Sequence, residues 1–113
     1  MLLYIVVLSE EKTLFICDAG HPDVNGKYIE DGTMNKTFKF KKEGDSSMHI
    51  YQNHGFWYIG TLEQPMDVFY RCEHCPPNGM MPPLIGYEPD SSRVEAHPTA
   101  IIQFEPCLPK EDL

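Results

Sequence analysis

The strongest constraint on this chain is the spacing of its apolar residues. They form short runs separated by Gly, Asn and Asp, and no stretch keeps the 3.6-residue period of an amphipathic helix. Short runs bounded by turn-forming residues are typical of β-strands. We therefore predict an all-β fold, an antiparallel meander that curls into a small barrel or sandwich. The predicted strands occupy about residues 2–8, 13–17, 27–30, 37–42, 48–52, 56–61, 67–72 and 100–104.

The length and composition predict one small domain over residues 1–113. The chain is 42% hydrophobic and 12% aromatic, which is enough to build a core and is unlike a disordered chain. Nine of its ten prolines lie from Pro65 onward, and proline cannot donate to a central ladder. The C-terminal half is therefore expected to be rich in loops. Its apolar stretch from Met80 to Ile85 is expected to lie across an open end of the sheet as a covering flap, or alternatively to act as a recognition loop.

Two hairpins are predicted from turn chemistry. Asp31-Gly32 is expected to join strand 27–30 to strand 33–40. Asn53-His54-Gly55 is expected to join strand 48–52 to strand 56–60, with Trp57 and Ile59 buried on one face. A three-residue loop would place Tyr51 opposite Trp57, whereas a two-residue loop would place Gln52 there and Tyr51 opposite Tyr58. The sequence leaves both registers open.

The charge of the chain disfavours nucleic acid and anionic membranes as partners. The formal net charge is -8, which repels phosphate groups on average. Five of the nine basic residues nevertheless fall within one short stretch, and we interpret part of this stretch as the solvated face of a strand whose Phe38 and Phe40 point inward. The five basic residues are Lys27, Lys36, Lys39, Lys41 and Lys42.

The N-terminal run from Met1 to Leu8 is apolar but does not resemble a signal peptide. It has no positive flank before it and no small-residue cleavage site after it, so we interpret it as a buried strand. No apolar run approaches the roughly 20 residues that a membrane-spanning helix needs. A cytoplasmic location is the expectation.

Spaced residues between positions 15 and 90 form a recognisable pattern. They are Asp18-Ala19-Gly20, Val24-Asn25-Gly26, Tyr28, Gly32, Asn35, Ile50-Tyr51, Trp57, Ile59, Phe69-Tyr70, Pro82-Pro83, Gly86 and Tyr87. This pattern resembles an uncharacterised NG-x-Y / W-x-I β-rich repeat module found, often in tandem, in large proteins of protists, algae and oomycetes. The chain departs from it at Lys36, where Gly is usual, and at Tyr87, where Trp is usual. The resemblance implies one copy of a small interaction unit and assigns no catalytic residue.

The sharpest chemical motif is Cys72-Glu73-His74-Cys75. Two cysteines two residues apart can hold half of a tetrahedral zinc site, which Cys17 with His21 could complete; His49, His54, His97 and Cys107 are other single candidates. A thiol–disulfide switch is a second alternative, although Pro76-Pro77 after the motif excludes the helix of a thioredoxin-like enzyme. The favoured interpretation is that Cys72 and Cys75 are ordinary reduced loop and edge cysteines with no metal and no catalytic duty, and no cofactor is expected.

No Ser or Cys lies in a recognisable nucleophile motif, and no glycine-rich phosphate loop is present. We therefore expect a non-catalytic protein-interaction or structural module with an unidentified protein partner. A small metal- or ligand-binding domain that uses the Cys72–Cys75 loop or an open barrel end is the alternative. The expected interaction surface consists of Tyr51, Phe56, Tyr58, Met80 and Met81, because aromatic and Met side chains offer large contact areas.

Overall fold

A computed structural model describes residues 12–63, 66–90 and 98–109. Within these ranges the chain is all-β, as predicted, and forms a curled half-barrel from a single antiparallel sheet in the order β7-β6-β5-β4-β3-β2-β1-β8. The strands are β1 (Thr13–Ile16), β2 (Gly26–Met34), β3 (Thr37–Lys42), β4 (Asp45–Asn53), β5 (Phe56–Thr61), β6 (Asp67–Cys72), β7 (Glu88–Pro89) and β8 (Ile102–Gln103). The predicted strand 2–8 lies outside the described residues.

Helical structure in the described ranges is confined to one 3-10 turn, Pro22–Val24. The prediction of an all-β fold without an amphipathic helix is confirmed for the part of the chain that the structure describes. No helix in that part is long and apolar enough to cross a membrane.

The β4–β5 hairpin is confirmed, and its register is now defined. His54 and Gly55 form a two-residue loop with φ angles of 52° and 85°, as a type I′ turn requires. Gln52 therefore lies opposite Trp57, and Tyr51 lies opposite Tyr58. Alternation along β5 places Trp57 and Ile59 together in the core, both buried as predicted.

The predicted turn at Asp31-Gly32 is wrong. β2 continues through these residues to Met34, and Gly32 with φ 79° lies in a bulge between Glu30 and Thr33. The turn falls instead at Asn35-Lys36, whose φ angles are 54° and 68°. The error has a physical basis, because a bulge and a hairpin turn both need a residue that tolerates positive φ.

The core lies on the inner face of the curled sheet. Every strand from β1 to β6 contributes at least one buried apolar side chain to it. The β5–β6 ladder has a bulge at Phe69, where the register shifts between Ile59 and Gly60 of β5. Because of this bulge, two consecutive residues of β6, Phe69 and Tyr70, are both buried. The largest fully buried side chains of the sheet strands include Leu14, Ile16, Tyr28, Phe40, Ile50, Ile59, Tyr70 and Ile102.

Residues 80–87, called the flap below, cover this inner face and include the Met80–Ile85 stretch that was expected to lie across an open end of the sheet. The Met80 carbonyl accepts a hydrogen bond from the Phe38 amide of β3, and the Leu84 carbonyl accepts one from the Ile102 amide of β8, each 2.9 Å long. Pro82 is fully buried, and Tyr87 belongs to the core cluster. The flap therefore crosses from the middle of the sheet to its β8 edge before the chain enters β7 at the other edge.

Replacing Lys36 with Gly should stabilise the fold. A non-glycine residue with positive φ costs roughly 1–2 kcal/mol, and Gly removes that cost at the second position of the type I′ turn. We expect Lys36→Gly to raise the free energy of unfolding by about 1 kcal/mol in urea titrations. Lys36→Ala is the matched control and should give no gain, because alanine retains the Cβ. Equal stability of the two variants would contradict the turn assignment.

Candidate functional site

All four cysteines are paired, which corrects the prediction of reduced thiols. Cys17 bonds to Cys107 and Cys72 bonds to Cys75, with a Cα–Cα distance of 5.6 Å in each pair, within the normal range for disulfides. The first pair is 90 residues apart in sequence and becomes adjacent because β1 and β8 are neighbours. No local motif signals such a pairing.

The cysteines and histidine of the zinc hypothesis are not brought together. Cys17 and the Cys72–Cys75 pair are held in separate disulfides, so none of them has a thiolate to offer a metal. The ring of His21 lies edge-on against Phe69, with centroids 4.4 Å apart, and its backbone N–H donates to the hydroxyl of Tyr70. Among the described residues no group of three or more His, Cys, Asp or Glu side chains could hold a metal ion. The expectation of no cofactor remains a prediction.

A pocket opens beside the Cys72–Cys75 disulfide. Cys72, at the end of β6, is buried opposite Trp57, whereas Cys75 is half-buried. Glu73 lies at the pocket, and its carboxylate is 3.5 Å from the Arg71 guanidinium. The lining residues are Gln52, Gly55, Trp57, Cys72, Glu73, Cys75, Pro76, Pro77 and Pro83.

The flap rests directly on this disulfide through Gly86. A Cβ at that position would come within 2.8 Å of Cys75 Sγ and 3.2 Å of Cys72 Sγ, and Gly86 also has a φ of 105°. The carbonyl oxygen of the preceding residue, Ile85, is 3.3 Å from Cys75 Sγ. Glycine is therefore required here both by its backbone conformation and by the space that the sulfurs occupy.

The solvent side of the flap carries large apolar side chains beside an open groove. Met80 is 44% exposed and Ile85 is 60% exposed. The groove shares Pro76, Pro77 and Pro83 with the pocket at the disulfide, so the two depressions adjoin. Its lining consists of Pro76, Pro77, Asn78, Pro83, Leu84 and Ile85.

The structure divides the predicted interaction surface between two faces of the sheet. Tyr51 and Tyr58 form a tilted pair with ring centroids 5.5 Å apart, and strand alternation places them, with half-buried Phe56, on the outer face. Tyr51 is buried rather than exposed, and burial together with the neighbouring Tyr58 raises its pKa to about 12. Met80 is exposed, but Met81 packs against the core on the inner face.

Two lysines of the basic stretch, Lys39 and Lys41, belong to an ion cluster on the outer face. Asp31 Oδ2 lies 3.3 Å from Lys39 Nζ and 3.5 Å from His49 Nε2, and Asp31 Oδ1 lies 4.0 Å from Lys41 Nζ. Partial burial would raise the pKa of Asp31, but the hydrogen bond from Lys39 and the surrounding positive charges hold it below its ordinary value. The predicted orientation is correct, since Phe40 is buried and Phe38 packs against the core.

The Asn-Gly-x-Tyr motif at residues 25–28 has a structural role. The side-chain amide of Asn25 both accepts from the N–H of Ala19 and donates to its carbonyl, which closes the loop before β2. The buried hydroxyl of Tyr28 donates to the Val24 carbonyl at 2.7 Å. These contacts hold the loop to the core.

Two buried tyrosines provide a matched test of the core. Tyr28→Phe should lower the free energy of unfolding by about 1 kcal/mol, because it removes the buried hydrogen bond to Val24. The Tyr87 hydroxyl is buried with no hydrogen-bond partner among the described residues, so Tyr87→Phe should leave stability unchanged or raise it. Thermal and urea unfolding measure both. A larger loss for Tyr87→Phe than for Tyr28→Phe would contradict this arrangement.

The two disulfides should contribute unequally to stability. The chain-entropy estimate gives about 4 to 5 kcal/mol for a loop of the length closed by Cys17–Cys107 and about 2 kcal/mol for the short Cys72–Cys75 loop. Urea unfolding of Cys17→Ala/Cys107→Ala and of Cys72→Ala/Cys75→Ala, each against the oxidised parent, tests this order. A greater loss from the second double variant would contradict it.

Comparisons with known proteins assign no family or function to this chain. No family model matches the chain, and no curated protein or solved structure matches it either. The features that bear on function are therefore the flap, its groove and the adjoining disulfide.

Proposed function

We propose that this domain is a non-catalytic protein-interaction module and that it contacts its partner through the solvent side of the flap. The observation that carries the proposal is the exposure of Ile85 and Met80 on a segment whose backbone is bonded to β8 and β3. Large apolar side chains held in solvent at the rim of a groove are a common feature of interaction sites.

The flap surface is held in one conformation before any partner arrives. Its carbonyls at Met80 and Leu84 are bonded to strand amides, and the Asn78 side chain donates to the Pro82 carbonyl at 2.9 Å. The prolines of the groove have a fixed φ and lose little entropy when covered. Binding to such a surface has a small ordering cost, which favours a protein partner with an apolar side chain that fits the groove.

The aromatic pair on the outer face contributes less to the proposed surface than the sequence suggested. Tyr51 is buried and so offers little area to a partner, while Tyr58 and Phe56 are half-buried. Tyr58 lies between Tyr51 and Arg71 in the ladder, which suits it to stabilising the sheet. We therefore place the contact on the flap, with Met80 as the residue retained from the predicted set.

The cytoplasmic location remains a prediction, and the cysteine pairing weighs against it. Disulfides persist in oxidising compartments and are rare in the cytosol. A disulfide that joins β1 to the segment after β8 has a structural position, so we propose that the domain works in an oxidising compartment.

A ligand-binding function is the second candidate, supported by the pocket beside Cys75. Its walls combine the indole of Trp57, the amide of Gln52 and the carboxylate of Glu73, so a small ligand could find apolar and polar contacts together. The flap surface adjoins this pocket.

Site-specific photo-crosslinking tests the interaction function. A benzophenone side chain is placed at Ile85 of the full chain, at Tyr58 as a probe of the outer face, and at Lys36 as an exposed control. We expect a protein adduct from the benzophenone at position 85. An excess of the unlabelled parent chain should suppress this adduct, whereas an excess of the Met80→Asp/Ile85→Asp chain should not suppress it. Mass spectrometry of the adduct measures the result.

Two outcomes would contradict the proposal. Adducts of equal yield from Lys36 would show that contact at Ile85 is non-specific. Suppression by the Met80→Asp/Ile85→Asp chain as strong as by the parent would show that the flap side chains do not bind the partner. Circular dichroism of that variant first confirms that it retains the β-sheet.

A further inference from the structure

We propose that Cys72–Cys75 is a thiol–disulfide exchange site that reacts with a dithiol and thereby releases the flap. The proposed chemistry is independent of the interaction function above. Three features of the structure support it: the partial exposure of Cys75, the three-residue separation of the pair, and the direct contact between both sulfurs and the backbone of the flap.

Cys75 is the more exposed residue of the pair. Cys72 is buried opposite Trp57, whereas Cys75 is half-buried and lines the open pocket. A thiolate must reach a disulfide sulfur directly, so attack is expected at Cys75. The negative charge of Glu73 in the same pocket is partly offset by the Arg71 guanidinium 3.5 Å away, which reduces repulsion of an incoming thiolate.

The exchange balances with a dithiol as the reductant. One thiolate of the dithiol attacks Cys75 Sγ, a mixed disulfide forms, and Cys72 leaves as a thiolate that takes up a proton. The second thiol of the dithiol, as its thiolate, then attacks the dithiol's own sulfur in the mixed disulfide and expels Cys75 as a thiolate, which is also protonated. The dithiol becomes a disulfide, and two electrons and two protons pass to Cys72 and Cys75.

The short separation of the pair makes the step reversible. Cys72 and Cys75 are three residues apart, so both thiols stay on one turn after reduction and remain in position to close again. Cys17 and Cys107 connect distant parts of the chain, and their reduction would free the segment after β8 from β1. Exchange at the local pair therefore leaves the sheet intact.

The contact with Gly86 transmits the change to the flap. Bonded sulfurs are about 2.05 Å apart, and two thiols must move to van der Waals separation. Gly86 lies against both sulfurs, with no room even for a Cβ, so this movement pushes the flap backbone outward. The carbonyls of Met80 and Leu84 would then lose their bonds to the amides of Phe38 and Ile102.

The protein contains its own reporters of this step. Trp57, the one tryptophan in the sequence, lies opposite Cys72, and a neighbouring disulfide quenches indole emission. The amides of Phe38 and Ile102 are protected by flap carbonyls, so their hydrogen exchange measures whether the flap is in place.

The experiment treats the oxidised full chain with dithiothreitol under native conditions, traps thiols with iodoacetamide and maps them by mass spectrometry. We expect Cys72 and Cys75 to be alkylated and Trp57 emission to rise. Exchange of the Phe38 and Ile102 amides should accelerate about tenfold or more, with the β4–β5 hairpin unchanged. The oxidised disulfide should re-form after the reductant is removed.

The control is Cys72→Ala/Cys75→Ala, which lacks the sulfurs that press on Gly86 and should therefore keep slow exchange at both amides with and without dithiothreitol. Faster exchange in this control with dithiothreitol would overturn the proposal, because the response would then come from Cys17–Cys107. Alkylation of Cys72 and Cys75 without faster exchange at Phe38 and Ile102 would also overturn it, because the flap would then be independent of the disulfide. If the double variant does not fold, the measurements on the parent chain still decide the second of these outcomes.

Discussion

The structure depends on how one antiparallel meander covers its own inner face. Strands β1 to β6 follow each other through the sheet, so they produce a curved layer with an apolar side and two edges, and a single layer cannot bury that side alone. The chain after Cys72 supplies the cover. Its flap closes the inner face, while the two-residue strands β7 and β8 occupy the edges and leave little unpaired backbone exposed.

The sequence predicted the parts of this fold that follow from local chemistry. Alternation placed Trp57 and Ile59 in the core, and His54-Gly55 gave a hairpin whose partners were correct. The same reasoning failed at Asp31-Gly32, because a bulge and a turn both need a residue that tolerates positive φ and so cannot be distinguished by residue type. Asn35-Lys36 was missed because lysine seldom occupies a position that glycine prefers.

The candidate site was less predictable, since it depends on contacts between distant residues. The sequence predicted Met80 as part of the interaction surface, because its apolar neighbours and prolines indicated a flap. The contribution of Ile85 and of the Pro76-Pro77 wall depends on how the flap crosses the sheet, which periodicity cannot show. The bond between Cys17 and Cys107 arises from a β1–β8 pairing across most of the chain, so spacing alone offered no reason to join them.

The pairing of β1 with β8 also constrains the order of folding during synthesis. Hairpins such as β4–β5 join neighbouring residues and can form as soon as both strands have left the ribosome. The β1 edge, in contrast, waits for a partner about ninety residues downstream, and the flap waits for the Ile102 amide. A nascent chain therefore holds a nearly complete sheet with its apolar face open, and chaperone binding in that interval would protect it from aggregation.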